Sequence, residues 1–177
     1  KMSNVTLLDP TNEAKPVTRQ LATRPEKISG NVALLDISKR QGNIFLDKLE
    51  QAIEQRVSGI NIKRYVKPTF SKPAPESLRQ EIKENNNFVV VALADWGSCT
   101  SCSLHDIVWF EIQGLPSAAI ASTEFADAAE TQAKALGMAN ANCLFVNHPI
   151  QDASSIELAR KADSVVDQVI QSLSEKT

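Results

Sequence analysis

Short apolar segments alternate with segments of helical character from residue 30 onward, and this alternation restricts the folds open to the chain. Segments with the length and content of strands occur five times, at Asn31–Asp36, Ile60–Val66, Phe88–Ala94, Ser117–Ser122 and Asn142–Val146. Each is followed by a stretch whose apolar or alanine residues suit a helix. Such alternation predicts an α/β fold with one parallel sheet, right-handed crossovers and helices on both faces.

The third segment, Phe88–Ala94, carries the strongest strand signal in the chain. It is continuously apolar and rich in β-branched residues, as expected for a central strand covered on both faces. Ile60–Val66 is more polar, which favours an edge position. With five strands we expect the flavodoxin-like order 2-1-3-4-5. That order places a ligand crevice at the carboxyl ends of strands one and three.

Helices are predicted after each strand, with ends marked by glycine or polar residues. We expect them at Phe45–Val57, Pro75–Ile82, His105–Gln113, Glu124–Leu136 and 154–173. The segment from Asp95 to Asp106 is predicted as a loop that leads into the third helix, because Ser103 to Asp106 has the spacing of a helix N-cap.

The chain of 177 residues fits a single domain with a full core, preceded by a segment of different composition. Residues 1–29 contain three prolines among polar residues, and we interpret them as an extended N-terminal arm. Residues 30–177 are predicted to form the flavodoxin-like domain. The arm would wrap the domain or contact a neighbouring subunit in a homodimer or a hetero-oligomer, and a loosely ordered tail is the alternative.

Charge and apolar content exclude several classes of partner. The net charge is −2 and the basic residues are scattered, so neither nucleic acid nor an anionic membrane is indicated. No apolar run is long enough to span a bilayer, and no signal segment is recognisable, so we expect a cytoplasmic protein. Three cysteines, an odd number, argue against a disulfide framework.

Cys99 and Cys102 stand between the central strand and the predicted third helix. Unpaired N–H groups and the positive end of the helix dipole lie there, and they favour a thiolate and bind anions. We therefore expect Cys99 to act as a thiolate nucleophile on a small-molecule substrate. His105 or His148, the two histidines of the chain, would be the general acid or base.

Substrate contacts are expected from the two segments that flank the crevice, one after strand one and one after strand three. The candidate binding residues are Lys39, Asn43, Asp95, Trp96, Gly97, Ser98 and Thr100. Trp96 and the cysteines beside it have simpler interpretations. A cysteine beside a strand end is often only a small buried side chain, and a tryptophan is more often packed than stacked on a ligand.

Other chemistries remain open at the same residues. Cys99-x-x-Cys102 suits thiol–disulfide exchange, although its position after the third strand is unlike thioredoxin. Cys99, Cys102, His105 and His148 are ligand types for zinc or iron, but their spacing is not a standard zinc pattern, and we expect no metal. No phosphate-binding loop or dinucleotide fingerprint is present, so the sequence assigns no cofactor. A flavin is suggested by fold analogy alone.

Several motifs together resemble the UGSC family, a bacterial family named after a selenocysteine-Gly-Ser-Cys motif. The core of the likeness is Asp95–Ser101, followed by His105-Asp106 and Gly114–Pro116. The outer motifs are Leu8–Pro10, Leu34–Asp36, Lys67-Pro68, Pro73–Pro75, Thr123–Phe125, Leu136–Met138 and His148-Pro149. The resemblance covers nearly the whole chain.

The resemblance implies a reactive chalcogen at the first motif position and a thiol three residues later. Trp96 occupies that first position here, so a selenocysteine–cysteine or cysteine–cysteine pair cannot form in the family register. The positions carried over as site candidates are Ser98, Cys99, Thr100, His105, Asp106, Glu124 and His148. Glu124 would orient a partner or the substrate.

Three functions are consistent with this departure. In the first, Cys99 is the true nucleophile and the first motif position only modulates it. In the second, a redox pair has shifted to Cys99 and Cys102. In the third, the chain is a non-catalytic binding or partner subunit of a larger assembly. The first makes the protein a cysteine-dependent enzyme, a lyase or a hydrolase, and the second makes it a thiol oxidoreductase.

Overall fold

The computed structural model describes residues 17–175 and shows one sheet of five parallel strands. The strands are β1 (Gly30–Asp36), β2 (Ile60–Val66), β3 (Phe88–Ala94), β4 (Ser117–Ser122) and β5 (Cys143–Val146). Their order is β2-β1-β3-β4-β5, which confirms the predicted flavodoxin-like arrangement. Leu34 of β1 pairs with Arg64 of β2 on one side and with Val90 of β3 on the other.

Helices cover both faces of the sheet, and each face has its own apolar core. They are α1 (Gly42–Arg56), α2 (Glu76–Asn85), α3 (Gly97–Ile112), α4 (Ala126–Ala135) and α5 (Ser155–Leu173), with a 3-10 turn at Thr123–Phe125. The first core joins the sheet to α1 and α5, and the second joins it to α2, α3 and α4. The predicted central strand β3 is buried along its entire length.

The start of α3 differs from the sequence prediction. The helix begins at Gly97 rather than near His105, so the predicted loop contracts to Asp95 and Trp96. Ser103 is not an N-cap, because its hydroxyl donates to the Cys99 carbonyl at 2.8 Å inside the helix. Small hydroxyl residues usually favour turns, but here the Thr100 and Ser103 hydroxyls bond to the preceding helical turn while the segment packs into the second core.

The described part of the predicted arm, residues 17–29, lies along the domain without helix or strand. Arg24 forms a bidentate ion pair with the fully buried carboxylate of Glu111, and both N–O distances are 2.6 Å. The Ala22 N–H donates to the same carboxylate at 2.7 Å. Further along, the Arg19 N–H donates to the Gly137 carbonyl at 2.7 Å. Residues 1–16 of the predicted arm lie outside the described residues.

Within residues 17–175, no helix is both long enough and apolar enough to span a membrane.

Candidate functional site

Lys39 joins the two segments that the fold places at the crevice. It belongs to the loop between β1 and α1, and its ammonium forms an ion pair with Asp95, which directly follows β3. The same Nζ atom lies 3.9 Å from Sγ of Cys99 in the first turn of α3. The side chains of Lys39 and Asp95 are only 10% and 1% exposed, so their charges interact with little screening by water.

The backbone around Lys39 is strained. Ser38 and Gln41 have φ values of 67° and 70°, and they are the non-glycine residues with positive φ within residues 17–175. The Gln41 side chain anchors the loop by donating to the Ala153 carbonyl at 2.8 Å. Such strain persists only where the surroundings enforce it, and it concentrates at functional sites.

Cys99 is fully buried at the N-terminal end of α3. The Trp96 N–H donates to Sγ at 3.2 Å, and the thiol lies 3.2 Å from the Trp96 carbonyl oxygen, to which it donates. These two contacts hold the sulfur at the N-cap of the helix. The positive end of the dipole of a sixteen-residue helix lies at this position.

Two aromatic rings flank the Lys39 ammonium. Nζ lies 5.3 Å from the ring centre of Phe70 and 5.2 Å from that of Trp96, within the range of cation–π contacts. Phe70 is in the loop after β2 and Trp96 is the N-cap of α3. Both rings are exposed to solvent, by 40% and 63%.

The loop after β5 closes the other side of Asp95. Gln151 donates to Oδ2 of Asp95 at 2.6 Å and lies 3.4 Å from the carbonyl of Arg40, to which it also donates. Asp95 therefore links Lys39 to Gln151, and through them the segments after β1, β3 and β5 meet at one point.

Cys102 lies one turn further along α3, in a different environment. Burial raises the pKa of its thiol, the Lys67 ammonium lowers it, and Asp106 and Cys99 raise it again. Lys67 and Asp106 form a fully buried ion pair at 2.7 Å, and the Ala74 N–H also donates to Asp106 at 2.7 Å. Burial raises the pKa of the Asp106 carboxyl, against the opposing effect of Lys67.

Cys143, the third cysteine, lies in edge strand β5 away from the loops of the crevice. Burial raises the pKa of its thiol to about 12. A thiol with such a pKa is almost entirely protonated at neutral pH.

The predicted acid–base residues make their described hydrogen bonds with groups other than the Cys99 sulfur. His105 is six residues beyond Cys99 on α3, which places it on a different face of the helix, and its Nε2 lies 3.5 Å from Gln132 of α4. Nδ1 of His148 lies 3.0 Å from the hydroxyl of Ser122 at the end of β4. Glu124 adjoins this pair, since its N–H donates to the Ser122 hydroxyl at 3.5 Å. Within residues 17–175 no hydrogen bond joins either imidazole to Cys99.

The other predicted binding residues have separate surroundings. The Thr100 hydroxyl donates to the Trp96 carbonyl at 2.7 Å and so supports the first turn of α3. Ser98 is exposed, and a side-chain carbon added at Gly97 would meet no atom within 4 Å, so this end of the helix is open. Asn43 is exposed in α1, and its carbonyl accepts from Arg64 at 3.4 Å.

Sequence inspection did not assign a role in the site to Phe70, Gln151 or Lys67. All three follow a predicted strand at its carboxyl end, the edge at which parallel α/β sheets bind ligands. Their position after a strand could therefore have identified them as site candidates. Among residues 17–175, no group of three or more His, Cys, Asp or Glu residues is arranged to hold a metal ion.

Comparison with known proteins yields a structural and a family match. A structure titled as a short-chain flavodoxin associated with a non-canonical PDU bacterial microcompartment is 9% identical, covers 80% of this chain and 99% of its own, and has a TM-score of 0.44. No curated protein matches. The UGSC family model matches residues 6–175, almost the entire sequence. This chain belongs to the UGSC family.

Proposed function

We propose that the protein is a cysteine-dependent enzyme that acts on a small molecule, with Sγ of Cys99 as the nucleophile. The observation that carries this proposal is the 3.9 Å contact between the Lys39 ammonium and the Cys99 sulfur at the N-terminal end of α3. An adjacent ammonium and a helix N-terminus are the two surroundings that turn a thiol into a reactive thiolate.

The other two cysteines lack this combination. Burial raises the pKa of the Cys102 thiol and raises that of Cys143 to about 12, so both favour the unreactive protonated form at neutral pH. This contrast supports Cys99 as the nucleophile in the proposal. Histidine is not part of the proposal, because His105 and His148 have hydrogen-bonding contacts away from the sulfur.

Access to Cys99 requires a side chain to move, since the sulfur is fully buried. Lys39 lies beside the sulfur, and the exposed Trp96 is the N-cap residue of the helix that carries it. A substrate that reaches the open end of α3 near Gly97 would meet the sulfur after a rotation of one of these side chains. Whether the enzyme is a lyase or a hydrolase depends on which bond of the substrate is broken.

Burial of Cys99 favours a second candidate function, that of a non-catalytic binding or partner subunit. Such a subunit would need no access to the sulfur, and the Lys39–Asp95 pair would serve only to hold the loops together. The thiol–disulfide alternative is weaker. Its resolving thiol, Cys102, has a pKa raised by burial and lies beside the Asp106 carboxylate.

Site-resolved alkylation of the native protein tests these candidates. Iodoacetamide is added at neutral pH, and mass spectrometry measures the rate at each of the three cysteines. The proposal expects Cys99 to react fastest and Cys102→Ser to leave its rate unchanged. A Cys99 that reacts only after denaturation would establish the non-catalytic candidate. A reversible Cys99–Cys102 disulfide, with loss of Cys99 reactivity in Cys102→Ser, would establish the oxidoreductase.

A further inference from the structure

Exposed apolar side chains cluster at the carboxyl edge of the sheet. The large apolar residues that are exposed within residues 17–175 are Val17, Val66, Phe70, Ile112, Ile156 and Trp96. Val66, Phe70 and Trp96 all belong to the ends of β2 and β3 or to the residues that follow them. Exposed apolar groups that gather around polar groups mark binding surfaces.

Phe70 and Trp96 both lie within cation–π distance of Lys39, and we call the surface around these three side chains the slot. The Lys39 ammonium is 5.3 Å and 5.2 Å from the two ring centres and only 10% exposed, although both rings are exposed to solvent. A lysine ammonium has three N–H donors. In the described part of the chain, Asp95 and the Cys99 sulfur account for two of them. One donor is left for a ligand that reaches Lys39 beside the rings.

The charge around the slot favours an anion. Lys39 and the exposed Arg40 carry two positive charges on the β1–α1 loop, which the carboxyl groups of Asp36 and Asp95 flank. Burial raises the pKa of Asp36 and so disfavours its negative charge. The N-terminal ends of α1 and α3 lie at the same edge and add to the positive potential. A cationic ligand would have to displace Lys39 from Asp95, and a neutral one would leave the third N–H without a charged acceptor.

We infer that the slot binds a small aromatic or heteroaromatic monocarboxylate. Its flat ring would stack against Phe70 and Trp96, and its carboxylate would accept from Lys39. The inference rests on the proposed function, since it names the substrate class of the same site and places the ligand beside Cys99. Binding, however, requires no chemistry at the sulfur, so the two proposals fail independently.

Binding is measured by NMR on the full chain, with Cys99→Ala used to prevent any covalent reaction. The indole N–H signal of Trp96, assigned from Trp96→Phe, reports on the slot. Trp109, which packs against Arg79 at 4.9 Å between α2 and α3, is the internal control. The probes are benzoate with a set of heteroaromatic monocarboxylates, the matched neutral ligand benzamide, and the matched cation benzylamine.

The carboxylates are expected to shift the Trp96 signal in a saturable way and to leave Trp109 unchanged. Benzamide should bind at least about tenfold more weakly, because a charge-assisted hydrogen bond is lost. Lys39→Met should weaken carboxylate binding by a similar factor, whereas Lys39→Arg keeps the charge and should retain it. The amide spectrum of each variant shows whether the fold is intact.

Two results would overturn the inference. If benzylamine binds as tightly as benzoate, the two rings form a cation-binding site, and Lys39 is the cation that normally occupies it. If no carboxylate in the set shifts the Trp96 signal, the rings serve the loop structure alone. Rapid alkylation of Cys99 together with no carboxylate binding would retain the enzyme proposal and remove this ligand class. Carboxylate binding to a protein whose Cys99 is inert would retain this ligand class and remove the enzyme proposal.

Discussion

The ammonium of Lys39 lies 3.9 Å from the sulfur of Cys99, although the two residues are 60 positions apart in the chain. The contact bridges the point at which the chain changes direction across the sheet, since Lys39 follows β1 and Cys99 follows β3. Two residues with left-handed backbone, Ser38 and Gln41, hold the lysine loop. The site thus combines a cation, a thiol and a helix N-terminus that come from separate segments.

Removal of the Lys39 charge is expected to slow the alkylation of Cys99. An ammonium about 4 Å from a thiolate contributes on the order of 1–4 kcal/mol, depending on screening. Lys39→Met should therefore reduce the rate about fivefold or more at neutral pH. Lys39→Arg, which preserves the charge, should lose much less. Equal rates in wild type and Lys39→Met would show that the lysine does not act on the sulfur.

The Glu111–Arg24 pair is expected to fasten residues 17–29 to the domain. Glu111→Leu leaves Arg24 without its buried carboxylate, and breaking such a pair costs about 3–5 kcal/mol of unfolding free energy. Urea denaturation measures the loss, and hydrogen exchange at Ala22 should become faster. Glu130→Gln removes the exposed pair with Lys134 and is the matched control, for which little change is expected. Similar stability in both variants would exclude the fastening role.

Lys67 and Asp106 should show strong coupling in a double-mutant cycle. Each residue alone becomes an unpaired buried charge when the other is replaced, which costs about 3–5 kcal/mol. Lys67→Met and Asp106→Leu should each destabilise the protein strongly, and the double variant should lose much less than the sum. Thermal unfolding in a single buffer provides the comparison. Additive losses would mean that the two side chains contribute separately.

Asp36 is expected to make stability depend on pH. Burial raises the pKa of its carboxyl, against the opposing hydrogen bond from the Ser38 N–H. The folded protein thus retains this proton to a higher pH than the unfolded chain, and the unfolding free energy contributed by Asp36 falls as pH rises from the unfolded value through the folded one.

Asp36→Asn isolates that contribution from the other carboxyl groups. Its stability relative to wild type should rise with pH across the same window and become constant above the folded pKa of Asp36. Urea midpoints measured at a series of pH values for both proteins give the difference. A difference that is independent of pH would show that folding does not change the proton affinity of Asp36.

Local patterns in the sequence determined the architecture. The continuously apolar run at β3 indicated a buried central strand, and the polar character of β2 indicated an edge. These two patterns and the strict alternation of strands and helices predicted the strand order. The strand order in turn predicted that the loops after β1 and β3 share one crevice. These inferences succeed because burial on both faces and right-handed crossovers impose strong demands on every strand and helix.

Sequence patterns failed at the start of α3. The N-cap spacing of Ser103 to Asp106 predicted a helix start there and a loop before it, yet Gly97 to Ser103 forms two helical turns. The Thr100 and Ser103 hydroxyls bond to carbonyls of the preceding turn while Cys99 and Leu104 pack into the core. Burial by distant segments outweighed local propensity, which is a weak preference.

The composition of the site was decided by the tertiary structure. The sequence proposed Lys39, Asp95, Trp96 and Cys99 by their place at strand ends, but it could not show that the Lys39 ammonium lies beside the sulfur. It also omitted Phe70 and Gln151, and it suggested His105, which α3 turns toward Gln132. A strand pattern specifies the edge of the sheet at which a residue emerges. Helix rotation and loop conformation, set by contacts between distant segments, specify which side chains meet there.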